Sequence, residues 1–219
     1  MEAWNRDGFF ILPDVLSAEK CEELKAEGLK ILKEHAPPGK TVYLGCAGVS
    51  EKYGALAEHP AIVGKLRLLM LNGIEFLSDK IVYKKQGKAF PTPWHIDAWY
   101  WKGTRPKVSV WIPFDDAHAE SGTLTVIPGS HLREWTAKET KGINQGEFGN
   151  VLSDEGVLCN QKIHVCEVKR GSAIFFSDLL LHGSTLSEGK NERYAIISTY
   201  HAPGEEPFDQ NFAFRKPIS

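Results

Sequence analysis

A chain of 219 residues, 42% of them hydrophobic, is long enough to bury one core without disulfide or metal staples, and no Pro/Ser-rich linker divides it. With 26 basic against 28 acidic residues the net charge is −2, which excludes the basic field of a nucleic-acid binder. Four cysteines without a CxxC spacing read as reduced thiols in a cytoplasmic protein, and neither a secretory leader nor a run of about 20 apolar residues is expected.

Gly8 to Leu12 reads as a short strand stopped by Pro13, and Ser17 is placed to cap a helix. Cys21, Leu24, Gly28, Ile31 and Leu32 form the inner face of that helix, with Lys20, Glu23, Lys25 and Lys33 outside. A second helix is expected from Pro60, a good first-turn residue, through Met70. From about residue 73 the texture changes to short β-prone runs: 81–83, 108–112, 123–127, 163–165, 173–176 and 194–200. Turn residues such as Pro128-Gly129-Ser130 and Ser187-Glu188-Gly189-Lys190 separate them. The expected fold is therefore mainly β with flanking helices, a jelly roll with helices packed on one sheet. One domain spans 1–219, with a mostly helical section over 1–72 and the β core over 73–219. The polar, glycine-containing stretch 133–161 has no period and is expected to be a lid.

His95 and Asp97 stand two apart in Trp94-His95-Ile96-Asp97, so on a strand both side chains share a face. His182, after the run 173–176, can supply a third ligand from another strand. Two imidazoles and one carboxylate with open positions form the ligand set of non-heme Fe(II) oxygenases, although an isolated HxD is more readily a pair of ordinary core or surface residues. Arg193 follows His182 by eleven residues. A hairpin turning near Ser187 would set it opposite His182, pointing inward with Ala195 and Ile197. A buried guanidinium there needs an anion, and a dicarboxylate chelating the metal at one end would satisfy both.

These segments resemble the phytanoyl-CoA dioxygenase-like family of Fe(II)/2-oxoglutarate oxygenases, and in the family's order. Asp7 to Pro13 with Leu16-Ser17 is similar to its opening strand and helix cap. Trp94 to Asp97 matches its HxD motif. Glu120 to Leu124 running into Ile127 to His131 is similar to its NGxLxxxPGSH segment, and Leu181 to Ser184 with Arg193 matches its distal histidine and arginine. The resemblance implies a double-stranded β-helix with Fe(II) on His95, Asp97 and His182, and 2-oxoglutarate chelating the iron with its far carboxylate on Arg193. By position it adds Lys84 and Ser184 to that carboxylate and Trp111 to the pocket wall. O₂ is the second cosubstrate, and the family's chemistry couples decarboxylation to succinate and CO₂ with substrate oxidation. Asp97 speaks against the halogenating branch, which has a small residue at that position.

Trp99, Tyr100 and Trp101 are expected at the cleft mouth as substrate contacts, with core packing as the plainer alternative. Lys84, Lys85, Lys88, Lys102, Arg105 and Lys107 read more simply as a solvated charged face than as an anion collector. His131 is expected to be structural. The expected function is hydroxylation of a small metabolite, with no nucleic-acid or membrane partner. Two other readings remain: a cupin-like metalloenzyme that does not use 2-oxoglutarate, for which HxH would be the usual pair, and a non-catalytic 2-oxoglutarate sensor.

Overall fold

The structure, a computed structural model, describes residues 2–84, 91–100, 107–142, 148–187, 192–204 and 216–218. A one-and-a-half-turn helix α1 (Glu2–Asp7) leads through Gly8, at φ 79°, into strand β1 (Phe9–Leu12). Helix α2 (Ala18–His35) starts where expected, with the Ser17 side chain accepting from the Lys20 amide, and buries Cys21, Leu24, Gly28 and Ile31. After strand β2 (Val42–Leu44) come two short helices that periodicity did not reveal, α3 (Cys46–Val49) and α4 (Glu51–Ala57). Both are too short to display a repeat. Helix α5 (Pro60–Leu69) carries Pro60 in its first turn.

The β core consists of two antiparallel sheets. The larger contains β1, β10 (Ala173–Ser177), β5 (Lys107–Pro113), β12 (Arg193–His201), β3 (Glu75–Lys84) and β13 (Lys216–Pro217) in that order, with β2 also paired to β3. The smaller runs β4 (Thr92–His95), β11 (His182–Ser184), β6 (Leu124–Val126) and β9 (His164–Val165). Strand alternation divides the larger sheet's side chains between two cores. Val110, Ile112, Phe175, Tyr194 and Ile196 face Leu24, Ile31 and Leu66 of the helices. Trp111, Ile174, Phe176 and Ala195 face Leu124 and Val126 of the smaller sheet. Each fully buried aliphatic or aromatic side chain in these layers contributes about 1.5–3 kcal/mol of burial. This is the expected jelly roll with helices on one sheet.

Three local expectations are corrected. Arg193 and His182 do not share a hairpin: β12 pairs with β3 and β5 in the larger sheet, β11 with β4 and β6 in the smaller. The chain crosses between sheets after β11, which a count across the turn could not reveal. The stretch 133–161 is not an irregular loop. Within it β7 (Ala137–Gly142) pairs with β8 (Phe148–Leu152), and a 3-10 turn covers Glu155–Asn160. Finally, Lys84 and Lys107 are buried rather than part of a solvated face, while Lys85, Lys88, Lys102 and Arg105 lie outside the described residues.

Candidate active site

His95 ends β4 and lies directly across the ladder from His182, the first residue of β11. Their ring centroids are 4.2 Å apart. The strand stops at His95, but Ile96 keeps an extended backbone (φ −116°, ψ 142°) before a 3-10 turn begins at Asp97. Alternation therefore persists for one residue past the strand. Ile96 points into a separate apolar cluster with Ile127, Leu152 and Leu181, and Asp97 returns to the side of His95. The turn is pinned by the Ala98 amide on the Asp178 carbonyl at 2.9 Å.

Each histidine is oriented from behind. Nδ1 of His95 is 2.8 Å from the Pro93 carbonyl and Nδ1 of His182 is 2.9 Å from that of Leu180. A carbonyl only accepts, so both Nδ1 atoms carry the hydrogen and both Nε2 lone pairs face inward. Those Nε2 atoms lie 3.8 and 3.7 Å from Asp97 Oδ1, too far for a hydrogen bond. Donors about 2.1 Å from one ion sit about 3.0 Å apart when adjacent and about 4.2 Å when opposite, and the observed spacing falls between. Asp97 Oδ2 accepts from Ser109 Oγ at 2.7 Å, leaving Oδ1 directed at the histidines. All three side chains are buried, and they are the only such group of potential metal ligands among the described residues.

Burial, with the mutual repulsion of the two rings, pushes the His95 imidazolium well below its ordinary range, and burial lowers His182. Burial works against an ionised Asp97 as well, but His182, Lys80 and His95 outweigh it and hold the carboxyl below its usual value. Two neutral imidazoles and one carboxylate are the protonation states that metal ligation requires. The donor set, its spacing and its state all fit a divalent iron.

Beside this triad a cleft opens between the sheets. At its closed end, Lys84 (β3) and Arg193 (β12) are Cα partners, each only 2% exposed. Lys84 Nζ donates to Ser184 Oγ at 2.5 Å and to the Thr185 carbonyl at 3.1 Å. Arg193 spends Nε on the Ser121 carbonyl (3.2 Å) and Nη2 on that of Gly122 (3.0 Å). Its Nη1 is buried with no protein partner, a costly state that an anion would relieve. The guanidinium centre lies 5.2 Å from the Trp111 ring. Burial, then the charge of Arg193, pushes Lys84 down to about 6, and burial lowers Arg193 to about 10.

This packing explains why a glycine stands at 122. Its φ is +70°, and a Cβ would sit 2.8 Å from the Thr185 carbonyl oxygen and 3.1 Å from Lys84 Cδ. At Gly183 a Cβ would lie 2.9 Å from the Thr92 carbonyl, against the strand carrying His95.

The aromatic trio behaves differently from a strand continuation. Trp99 packs with the Ile96 and Leu181 cluster, away from the cleft lining. Tyr100 sets its ring edge-on to His95, with centroids 5.8 Å apart, and its hydroxyl donates to the Asn150 carbonyl on β8. Trp101 lies outside the described residues. Phe148 on β8, absent from the expected set, lines the cleft 5.1 Å from the His95 ring. Ser109 and Lys80 were also missed. Lys80 is four residues before Lys84 on β3, so alternation alone would have put it on the same face. Ser109 lies in an apolar-looking run and carries no sequence signal.

The family model described as phytanoyl-CoA dioxygenase (PhyH) matches residues 4–194. The L-proline trans-4-hydroxylase of Streptomyces griseoviridis is 25% identical over 233 aligned positions, covering 93% of this chain and 86% of that protein. The methylphosphonate hydroxylase of Gimesia maris is 26% identical, covering 94% and 80%. Among solved structures, the epimerase SnoN in complex with Fe3+, alpha ketoglutarate and nogalamycin RO superposes with a TM-score of 0.76 at 20% identity, over 91% of this chain and 81% of that one. EctD from S. alaskensis with 2-oxoglutarate and 5-hydroxyectoine gives 0.74 at 21%, over 92% and 74%. At such identities the superpositions establish the fold, while the family match spans both histidines, the aspartate and the arginine: the chain belongs to the phytanoyl-CoA dioxygenase (PhyH) family.

Proposed function

We propose that the protein is an Fe(II)- and 2-oxoglutarate-dependent oxygenase that hydroxylates a small-molecule metabolite. The observation that carries this reading is the pairing of a buried His-Asp-His triad with a buried arginine that lines the same cleft and whose Nη1 has no partner. His95, Asp97 and His182 would hold the iron, Asp97 through Oδ1 while Ser109 occupies Oδ2. Arg193, Lys84 and Ser184 would hold the far carboxylate of 2-oxoglutarate, with Trp111 flanking it. When bound, iron and 2-oxoglutarate supply the oxidising power, coupling O₂ reduction and decarboxylation to succinate and CO₂ with attack on a substrate C–H bond.

The chain's own part is positioning and exclusion. The carbonyls of Pro93 and Leu180 keep both imidazoles turned inward, and neutral rings are retained because burial opposes their protonation. Phe148 and Tyr100 close over His95 from the β7–β8 side and restrict water. On this reading 133–161 acts as a lid and Tyr100, with Phe148, borders the substrate. The relatives named for proline and methylphosphonate support a small substrate. Four free cysteines support a reducing cytoplasmic setting. No described helix is long and apolar enough to cross a membrane.

Anaerobic titration of the metal-free protein with Fe(II) and 2-oxoglutarate tests the reading through the visible metal-to-ligand charge-transfer band. The band is expected in wild type and absent in His182→Ala. Iron binding without a band in wild type would mean that 2-oxoglutarate does not chelate, and the cupin-like reading would replace this one.

A further inference from the structure

Among the described residues, three basic side chains, Lys80, Lys84 and Arg193, line the cleft between the sheets, and only two have an assignment. Arg193 is tied to the carbonyls of Ser121 and Gly122, and Lys84 to Ser184 and Thr185. The third is Lys80, paired across the ladders with Ile197 on β12 and Leu44 on β2. It lines the main cleft and also a smaller cavity beside Asp97. Among the described residues, no carboxylate lies within ion-pair distance of its ammonium and no side chain or carbonyl accepts from it. Val42, Val82, Leu44 and Ile197 beside it carry apolar side chains, and the smaller cavity also takes in Ser78, Asp79, Asp97 and Thr199. Lys80 shares the smaller cavity with Asp97, which puts it on the metal side of the cleft.

We propose that Lys80 anchors an acidic group on the substrate, so that the substrate is a small metabolite bearing a carboxylate or phosphonate. The proposal rests on the oxygenase reading, and charge counting under that reading supports it. Fe(II) contributes two positive charges, Asp97 one negative and 2-oxoglutarate two negative, while Arg193 and the Lys84 that takes up a proton with the carboxylate add one positive each, which leaves no negative charge for Lys80 to balance. Each carboxylate of 2-oxoglutarate then already has a cation, the metal at one end and Arg193 at the other. Lys80 remains as one surplus positive charge in a half-apolar cleft, where an unpaired charge is unfavourable. Exposure separates the two roles. Lys84 and Arg193 are sealed at the closed end, whereas Lys80 and Val82 are only partly buried. Lys80 and Lys84 are also about 13 Å apart along the strand, four residues at about 3.3 Å each, so they serve opposite ends of the cleft. An ammonium is a point charge with three rotatable donors, suited to an oxyanion without demanding one geometry.

The test is calorimetry on protein loaded with Mn(II) and 2-oxoglutarate without O₂. The probes are the common amino acids, short monocarboxylic acids and methylphosphonate, each beside its neutral amide or ester. At least one acid is expected to bind tightly while its neutral counterpart binds weakly. For that acid, Lys80→Met should weaken binding about 10- to 150-fold, the range for a hydrogen bond to a charged group. Lys80→Arg should retain most of the affinity, and binding of 2-oxoglutarate should be unchanged in both variants. Acids and neutral counterparts binding alike, no acid binding, or Lys80→Met weakening 2-oxoglutarate instead would each overturn the proposal. Failure of wild type to bind 2-oxoglutarate at all would strike the oxygenase reading itself and this proposal with it.

Discussion

Replacing Arg193 by methionine removes the cation at the closed end while keeping the stem, and the structure sets the size of the effect. Two of the three guanidinium nitrogens already serve the Ser121 and Gly122 carbonyls, so only Nη1 is free for a ligand. One hydrogen bond to a charged group is worth about 1.5–3 kcal/mol, so the dissociation constant of 2-oxoglutarate should rise about 10- to 150-fold. Lys84 limits the loss. Burial holds its ammonium down to about 6, and the charge of Arg193 adds to that depression. Without Arg193, Lys84 keeps its proton to higher pH and takes over part of the carboxylate. The single variant should therefore fall in the lower half of the range, and Arg193→Met/Lys84→Met should lose more than the two singles added together. The same linkage sets the pH dependence. Above about pH 6 free wild-type Lys84 is mostly neutral, so binding a carboxylate draws a proton onto it and affinity falls as pH rises. Below about pH 6 the proton is already present and affinity levels off. In Arg193→Met the break moves to higher pH. Calorimetry in two buffers of different ionisation enthalpy reads both affinity and proton uptake. Unchanged 2-oxoglutarate affinity in Arg193→Met, or a wild-type affinity flat between pH 6 and 8, would refute this reasoning.

Other perturbations have equally definite outcomes. Ser109→Ala removes the donor to Asp97 Oδ2 and should weaken Fe(II) binding about 10- to 100-fold, measured by chelator competition, while leaving the far-carboxylate end untouched. Gly122→Ala forces a Cβ against the Thr185 carbonyl at a φ of +70°; urea unfolding should show a loss of more than about 1 kcal/mol, together with weaker 2-oxoglutarate binding as the Arg193 seat shifts. Asp79 is pushed up to about 7 by burial, against the opposing Ala47 amide. Between the ordinary carboxyl range and about pH 7 the folded state thus binds more protons than the unfolded one, so this group makes stability fall as pH rises through that window. Asp79→Asn should flatten that slope in unfolding curves recorded from pH 4 to 8.

The parts of the site that could be read from residues alone were those with short-range consequences. Two residues of spacing put His95 and Asp97 on one side because Ile96 stays extended, even though the strand itself ends early. Arg193 was placed inward with Ala195 and Ile197 by alternation, which held. Its relation to His182 was misread, because the path of the chain between two sheets is decided by long-range pairing that no local pattern encodes. Lys84 against Lys85 is also a matter of parity, resolved only by the register with Arg193. Trp99 turned into the core because a 3-10 turn replaced strand alternation after Asp97. Phe148 entered the site from 53 positions downstream of His95, on a hairpin whose polar sequence resembled a loop.

On the proposed reading the two anchors for 2-oxoglutarate stand on opposite sheets, and that would make the fold a gauge of molecular length. His95 and His182 sit on the smaller sheet, Lys84 and Arg193 on the larger, and Lys84 reaches across to Ser184 like a tie between two walls. Sheets packed face to face stand about 10 Å apart, and here Trp111, Ile174 and Phe176 wedge against Leu124 and Val126 to fix that gap. A diacid one carbon shorter would leave one anchor unreached, and one carbon longer would have to buckle. Discrimination among keto acids would thus come from the thickness of the hydrophobic layer rather than from any side chain touching the middle of the molecule. Trimming that layer, for instance Ile174→Val, should shift the preferred chain length before it abolishes binding.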